Sequence, residues 1–222
     1  MAYPKNRPKG SPAGSEFAKR HLQKVDAKPD LVLTATYTKE IADALVARRL
    51  PVYQFSEWGC VDALLKNLEI LGQLVGEEQR AAAVLKADRA VLATAARKKW
   101  PKPVRAVYYS EGFVFAANTV PSQVVKLAGL TDAASEAGMM GAVKATATTI
   151  NNLKPDVVLF GEDSDAAARE TAAMFKGPEY QAIAAVKAGR VYAIPGKHIT
   201  TTSHLIVKAV TDVQTFVAAG MR

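Results

Sequence analysis

The chain repeats Lys28-Pro29-Asp30-Leu31-Val32-Leu33 as Lys154-Pro155-Asp156-Val157-Val158-Leu159. In both copies a proline and an aspartate precede a continuous apolar run. Such a run is typical of a strand that is buried on both faces of a parallel sheet. The repeat therefore predicts two equivalent strands, one in each half of the chain.

The residues that follow each strand also recur in the same order. A polar turn leads to a helical stretch, at 39–48 in the first copy and at 165–175 in the second. A second strand comes next, at 50–55 and at 189–194, and further helices follow. Two copies of strand, helix, strand and helix predict two similar α/β lobes.

The second copy has an earlier portion that the first copy lacks. An apolar strand at 104–109 is followed by a helix over 120–128, which Thr119 caps and Gly129 ends. The residues before Pro29 are rich in proline, glycine and lysine, and no strand is evident among them. We therefore expect an N-terminal lobe without its opening strand and helix, in a chain that is shortened at its N-terminus.

A long helix is predicted between the two copies, over 77–99. Its apolar positions follow the spacing of one helical face: Ala81, Val84, Leu85, Val91, Leu92 and Ala95. At 1.5 Å per residue this helix would be about 34 Å long. The predicted fold is thus α/β, with two Rossmann-like lobes joined by one long helix and an incomplete N-lobe. We expect a partial N-terminal lobe at 1–76, the linking helix at 77–100 and a C-terminal lobe at 101–222.

Composition excludes several classes of function. The net charge is +8, but the basic residues are spread along the chain, which does not favour nucleic-acid binding. No apolar run reaches the roughly 18 residues that a membrane span requires. A single cysteine, Cys60, excludes an internal disulfide. The sequence has no nucleophile elbow, phosphate-binding glycine loop or metalloprotease motif, so we expect no enzyme activity, no catalytic residues and no cofactor.

Several strings, in this order and spacing, resemble the helical-backbone (class III) periplasmic substrate-binding proteins of ABC importers. In the first half they are Pro29-Asp30-Leu31-Val32-Leu33, Leu68-Glu69-Ile70-Leu71-Gly72, Gly76 and Ala81. In the second half they are Tyr108-Tyr109-Ser110-Glu111-Gly112, Ala128-Gly129, Pro155-Asp156-Val157-Val158-Leu159 and Ala185-Val186-Lys187-Ala188-Gly189-Arg190-Val191-Tyr192. The resemblance covers about residues 25 to 215.

The resemblance implies a binding protein without catalysis. Its ligand would be a metal chelate, such as a ferric siderophore, haem or a corrinoid (cobalamin), bound in the cleft between the lobes. Its partner would be the permease of an ABC transporter, and its location the periplasm, although Met1 to Gly14 lack the apolar core of a signal sequence. Contact with the membrane would then run only through the permease or through a missing N-terminal anchor.

Ligands of open α/β sheets bind beyond the carboxyl ends of the strands, which selects the loops there. The ligand-binding residues that we predict are Tyr37, Glu57, Trp58, Glu111, Phe113, Glu162 and His198. The aromatic residues would offer flat apolar surface to a bulky ligand. No metal site is predicted, because the possible donors are single residues scattered over loops and a chelate arrives with its coordination largely filled.

Three of these residues also have an ordinary structural interpretation. Tyr37 would be a surface tyrosine, Trp58 would pack over Cys60 and Val61, and His198 would be solvated. The resemblance further implies permease docking through one acidic residue on each lobe, for which we select Glu40 and Glu170. Both would otherwise be solvated helix acids.

Two other functions remain open from the sequence. One is an α/β enzyme that uses the same cleft, since a fold does not fix a function. The other is a non-transport interaction module, or a degenerate relative without ligand binding, which the missing elements of the first lobe favour slightly.

Overall fold

The computed structural model describes residues 29–35 and 39–220, so Tyr37 lies outside the described residues. Internal contacts divide the chain into two compact units, Met1–Glu57 and Trp58–Arg222. The division falls before the predicted lobe limit at 76, because the helices after Trp58 share a hydrophobic core with the C-terminal half. The limits predicted at residues 76 and 100, between the N-terminal lobe, the linking helix and the C-terminal lobe, therefore stay a prediction.

The first unit contains one copy of the repeated pattern. Strand β1 (Val32–Ala35) leads to helix α1 (Lys39–Ala47) and then to strand β2 (Val52–Phe55), which pairs with β1 in parallel. Leu45 and Phe55 are buried, but Leu33 is 44% exposed. The expectation that this strand is buried on both faces is thus wrong for β1, because the described part of the unit has one helix to cover two strands.

The second unit begins with two helices, α2 (Val61–Val75) and α3 (Glu78–Ala96). Gly76, at a φ of 71°, ends α2 and allows the chain to turn back at once. A Cβ on Gly72 would lie 2.5 Å from Cβ of Ala81, so a glycine is required for the two helices to pack this closely. Helix α3 is unbroken, as predicted from the apolar spacing over 77–99.

The remainder of the second unit is built on one six-stranded sheet. Its strands are β3 (Arg105–Ser110), β4 (Phe113–Phe115), β5 (Thr131–Asp132), β6 (Ala142–Lys144), β7 (Val157–Glu162) and β8 (Val191–Pro195). They lie in the order β6-β4-β3-β7-β8, with β5 beside β3. Strands β3, β5, β7 and β8 are parallel, whereas β4 and β6 are antiparallel to their neighbours.

Helices cover both faces of this sheet. They are α4 (Val120–Leu127), α5 (Ala133–Glu136), α6 (Ala147–Asn152), α7 (Asp165–Met174), α8 (Ala184–Lys187), α9 (Gly196–Ile199) and α10 (Ile206–Gly220). Successive residues of β7 point to opposite faces, so Leu159 joins the core under α4 and α10, and Phe160 joins the core under α7 and α8. Both are almost fully buried, which confirms the prediction for the second copy of the repeat.

The register of the two parallel pairs confirms that the pattern is duplicated. In the first unit Val32 pairs with Val52, and Leu33 with Tyr53. In the second unit the corresponding pairs along β7 and β8 are Val158 with Val191 and Leu159 with Tyr192. The same residue types therefore face each other at the same step of both pairs.

The helices at the predicted positions are also present. Thr119 caps α4 by accepting a hydrogen bond from the backbone of Ser122, and Gly129 follows the helix at a φ of 79°. Among the helices that the structure describes, none has the length and apolarity to cross a membrane.

Candidate functional site

The three parallel strands β3, β7 and β8 end at one edge of the sheet. Their last residues are Ser110, Glu162 and Pro195. The segments 110–113, 161–163 and 196–200 therefore stand together as the carboxyl edge of the second unit. This is the edge at which open α/β sheets bind their ligands.

Gly161 allows the elements of the carboxyl edge to approach one another. A Cβ at this position would lie 2.4 Å from Cγ2 of Ile199 on α9 and 2.7 Å from the hydroxyl oxygen of Tyr108 on β3. Real Cβ atoms do not approach other heavy atoms so closely, and both neighbours are buried. A residue without a side chain is thus required where β3, β7 and α9 meet.

Tyr108 belongs to the core beneath this edge. Its ring packs edge-on against Phe115, with 5.5 Å between ring centroids. Burial, and to a smaller extent the charge of Glu162, raises the pKa of the Tyr108 phenol well above its usual range. The phenol therefore stays protonated at neutral pH and offers no phenolate to a metal.

Glu111 and Phe113, which were predicted in a loop beyond the strand at 104–109, lie instead in a β-hairpin. Ser110 pairs with Phe113 in an antiparallel hairpin, whose two turn residues are Glu111 (φ 48°) and Gly112 (φ 85°). Positive φ at both turn positions matches the twist of the flanking strands. The hairpin leaves Glu111 exposed and Phe113 40% exposed, so it presents an apolar ring at the carboxyl edge.

The carboxylate of Glu162 accepts a hydrogen bond on the face of the sheet opposite to Ile199. The hydroxyl of Thr171 on α7 donates a hydrogen bond to Oε1 of Glu162. Because successive strand residues alternate between faces, Gly161 faces α9 and Glu162 faces α7. This contact ties β7 to α7 and occupies one oxygen of the carboxylate.

His198 lies in the short helix α9, directly after β8, and not in a loop. Its Nδ1 atom lies 2.6 Å from Oδ2 of Asp212 on α10. Only 14% of the histidine side chain is exposed. The alternative of a solvated histidine is therefore excluded. Asp212 was missed by sequence reasoning, since the pair joins two helices and no local spacing signals it.

The remaining predicted residues are spread over the two units. Glu57 is exposed at the end of the first unit, and Trp58 begins the second, where it packs partly buried against the core that contains Val61. Glu170 is exposed on α7. Glu40 lies in α1, but its side chain is outside the described residues, as is all of Tyr37. Within 29–35 and 39–220 there is no group of three or more histidine, cysteine or acidic side chains that could hold a metal ion.

Comparison with known proteins identifies the family. The family model described as "Periplasmic binding protein" matches residues 24–198. This chain belongs to the periplasmic binding protein family. The family resemblance predicted from the sequence is thereby confirmed. No curated protein sequence matches the chain significantly.

Solved structures share the fold of this family member at low sequence identity. The apo haem-binding protein RhuT from Roseiflexus sp. RS-1 is 20% identical, with a TM-score of 0.76 over 87% of this chain and 77% of that one. BhuT in complex with two haems is 20% identical, with a TM-score of 0.78 over 90% and 78%. The vitamin B12-binding protein BtuF of Vibrio cholerae is 18% identical, with a TM-score of 0.69 over 90% and 79%. The class III α/β fold predicted from the sequence is confirmed by these likenesses.

Proposed function

We propose that this chain is the substrate-binding component of an ABC importer and that it binds a metal chelate, namely haem, a corrinoid or a ferric siderophore. The observation that carries the proposal is the carboxyl edge of the second unit. There an exposed aromatic ring, Phe113, and a partnered histidine, His198, follow parallel strands of one sheet. Similar solved proteins bind haem and vitamin B12, which supports this class of ligand.

Charge and side-chain chemistry agree with this class of ligand. The net charge of +8 attracts anionic chelates during approach, through haem propionates or acidic siderophores. An aromatic face suits a broad, flat macrocycle, because such rings bury much apolar area with few rotatable bonds. In the proposed function the protein binds its ligand and releases it chemically unchanged.

The proposal includes a periplasmic location and a permease partner. Glu40 and Glu170 are the residues that we propose for docking. They lie in α1 and α7, the helices that follow the two copies of the repeated strand. Glu170 is exposed, as docking requires.

A thermal-unfolding panel tests the proposed function. The purified chain is heated with haemin, hydroxocobalamin or a ferric siderophore, each at about a hundredfold its dissociation constant. Such saturation stabilises the native state by about 2.7 kcal/mol, which raises the melting temperature by roughly 5–10 °C for a protein of this size. The metal-free porphyrin and the metal-free siderophore are the matched controls and should shift it less. If none of the three chelates stabilises the chain, the proposed function is wrong.

A further inference from the structure

The parallel strands of the second unit begin together at the end of the sheet opposite to the carboxyl edge. Because β3, β7 and β8 run in the same direction, the segments that lead into them lie side by side. These segments, 97–104, 153–156 and 187–190, are called the amino edge here. Basic residues that are far apart in the sequence are gathered there by the fold: Arg97, Lys98, Lys99, Lys102, Lys154 and Lys187.

Side-chain contacts tie the amino edge to the folded unit. The indole N–H of Trp100 donates a hydrogen bond to the backbone at the end of α4, and the ammonium group of Lys98 lies 5.1 Å from the centre of the Trp100 ring. The guanidinium group of Arg105 donates hydrogen bonds to the carbonyl of Leu153. Arg190 donates one to the last carbonyl of α10. The basic side chains are thus carried by backbone segments that packing and hydrogen bonds position.

The six cations of the amino edge are not neutralised by neighbouring carboxylates. All six are exposed, and none takes part in an ion pair among the described residues. The acidic residues at this edge have other partners. Asp156 accepts the backbone N–H of Arg105, and Glu136 pairs with the guanidinium group of the same arginine. Asp132 is buried and accepts hydrogen bonds from two serine hydroxyls.

Helix dipoles explain only part of this clustering. Cations favour the carboxyl end of a helix, which accounts for residues 97–99 after α3, but Lys102 and Lys154 do not lie in a last helical turn. Like charges that are gathered on one surface repel one another, and an anionic partner relieves that repulsion. The amino edge is therefore the electrostatic footprint of a negatively charged partner.

The side-chain chemistry indicates which kind of partner fits. Five of the six cations are lysines, which act as flexible point charges, whereas arginine offers the rigid fork that reads individual phosphates and bases. Base stacking requires an open aromatic face. The Trp100 ring does not offer one, since it packs against the core and lies beneath Lys98. Lysines spread over three segments fit an extended surface of diffuse negative charge.

We propose that the amino edge binds the surface of a bilayer that contains anionic phospholipid. This inference goes beyond chelate binding and does not depend on it. It adds a direct membrane contact to the one that the permease would provide. Because the amino and carboxyl edges lie at opposite ends of the same strands, contact with lipid leaves the carboxyl edge open. Each lysine or arginine at an anionic surface strengthens binding about fivefold.

Vesicle sedimentation with the full chain tests this inference. Vesicles of phosphatidylcholine that contain about one third phosphatidylglycerol are compared with vesicles of phosphatidylcholine alone, at about 0.1 M salt. The parent should sediment only with the anionic vesicles, and about 0.5 M salt should release it because salt screens exposed charges. The variant Lys99→Gln/Lys102→Gln/Lys187→Gln should bind the anionic vesicles about a hundredfold more weakly.

The matched control is Lys86→Gln/Lys144→Gln/Lys208→Gln. It removes the same charge from three exposed lysines that lie outside the amino edge, so it should bind within about threefold of the parent. Both variants keep the basic residues that precede Pro29, so a difference between them reports on the amino edge. All six lysines are exposed, and thermal unfolding of both variants should match that of the parent.

Two kinds of result would overturn the inference. The first is absence of parent binding to the anionic vesicles, or equal binding by the two variants. The second comes from titrating duplex DNA and polyglutamate at the same salt concentration. If either binds more tightly than the vesicles and the amino-edge variant loses that binding, the partner is a nucleic acid or an acidic protein. Chelate binding is measured separately, so failure of the proposed function leaves this test unaffected.

Discussion

The double variant Trp58→Ala/Phe113→Ala should bind haemin at least about a hundredfold more weakly than the parent chain. Phe113 is 40% exposed at the start of β4, where the Glu111-Gly112 turn holds its ring at the carboxyl edge. Truncating an aromatic anchor commonly costs about 2 kcal/mol or more of binding free energy, and two such losses exceed the roughly 2.7 kcal/mol of a hundredfold change. Titration by Soret absorbance measures the effect.

The control for this variant removes two exposed apolar side chains elsewhere. Leu74 on α2 and Val91 on α3 are 36% and 37% exposed, so Leu74→Ala/Val91→Ala deletes exposed apolar surface away from the carboxyl edge. It should bind haemin like the parent. Because Trp58 also packs against the core, thermal unfolding of the Trp58→Ala/Phe113→Ala protein must show that it is folded at the titration temperature. Equal binding by the folded double variant and the parent would show that the site assignment is wrong.

Replacing Gly161 by alanine should destabilise the second unit by about 1–3 kcal/mol, the usual cost of overpacking. The added methyl would meet Ile199 at 2.4 Å and the Tyr108 hydroxyl at 2.7 Å. Both neighbours are only 3% exposed and are enclosed by other core residues, so neither can move away without a further loss of packing. The midpoint of urea unfolding should fall while its slope stays constant.

Gly59→Ala is the matched control for this substitution. A Cβ at Gly59 would meet no heavy atom within 4 Å, and this glycine does not have positive φ. Its replacement should change the free energy of unfolding by less than about 0.5 kcal/mol. If the Gly161→Ala and Gly59→Ala proteins unfold at the same urea concentration, the close packing of β3, β7 and α9 is contradicted.

The duplicated pattern could be predicted because each copy carries its own local signal. A proline, an aspartate and an apolar run mark the start of β7, and the alternating burial of Leu159 and Phe160 follows from helices on both faces. The same signal predicted that Leu33 is buried, and this prediction is wrong. The exposure of a strand residue depends on how many layers cover the strand, which the local sequence does not specify.

The features of the site that escaped prediction depend on backbone geometry or on distant contacts. The residues after β3 form a hairpin instead of a loop, and the turn carries no familiar local signal because Glu111 has positive φ, where asparagine or glycine is typical. The partner of His198 lies on another helix, so only the packing of α9 against α10 reveals it. The choice of these positions as ligand contacts stays a prediction, which rests on the rule that ligands bind where the carboxyl ends of parallel strands meet.

Hydrogen exchange with and without haemin tests most directly whether a chelate binds at the carboxyl edge. Haemin should slow exchange in 110–113, 161–163 and 196–200. Exchange should not change along the open groove between α2 and α3, which is lined by Glu69, Gln73, Glu78, Ala82, Leu85, Lys86 and Arg89. Haemin binding that protects the groove and leaves the three segments of the carboxyl edge unchanged would contradict the account.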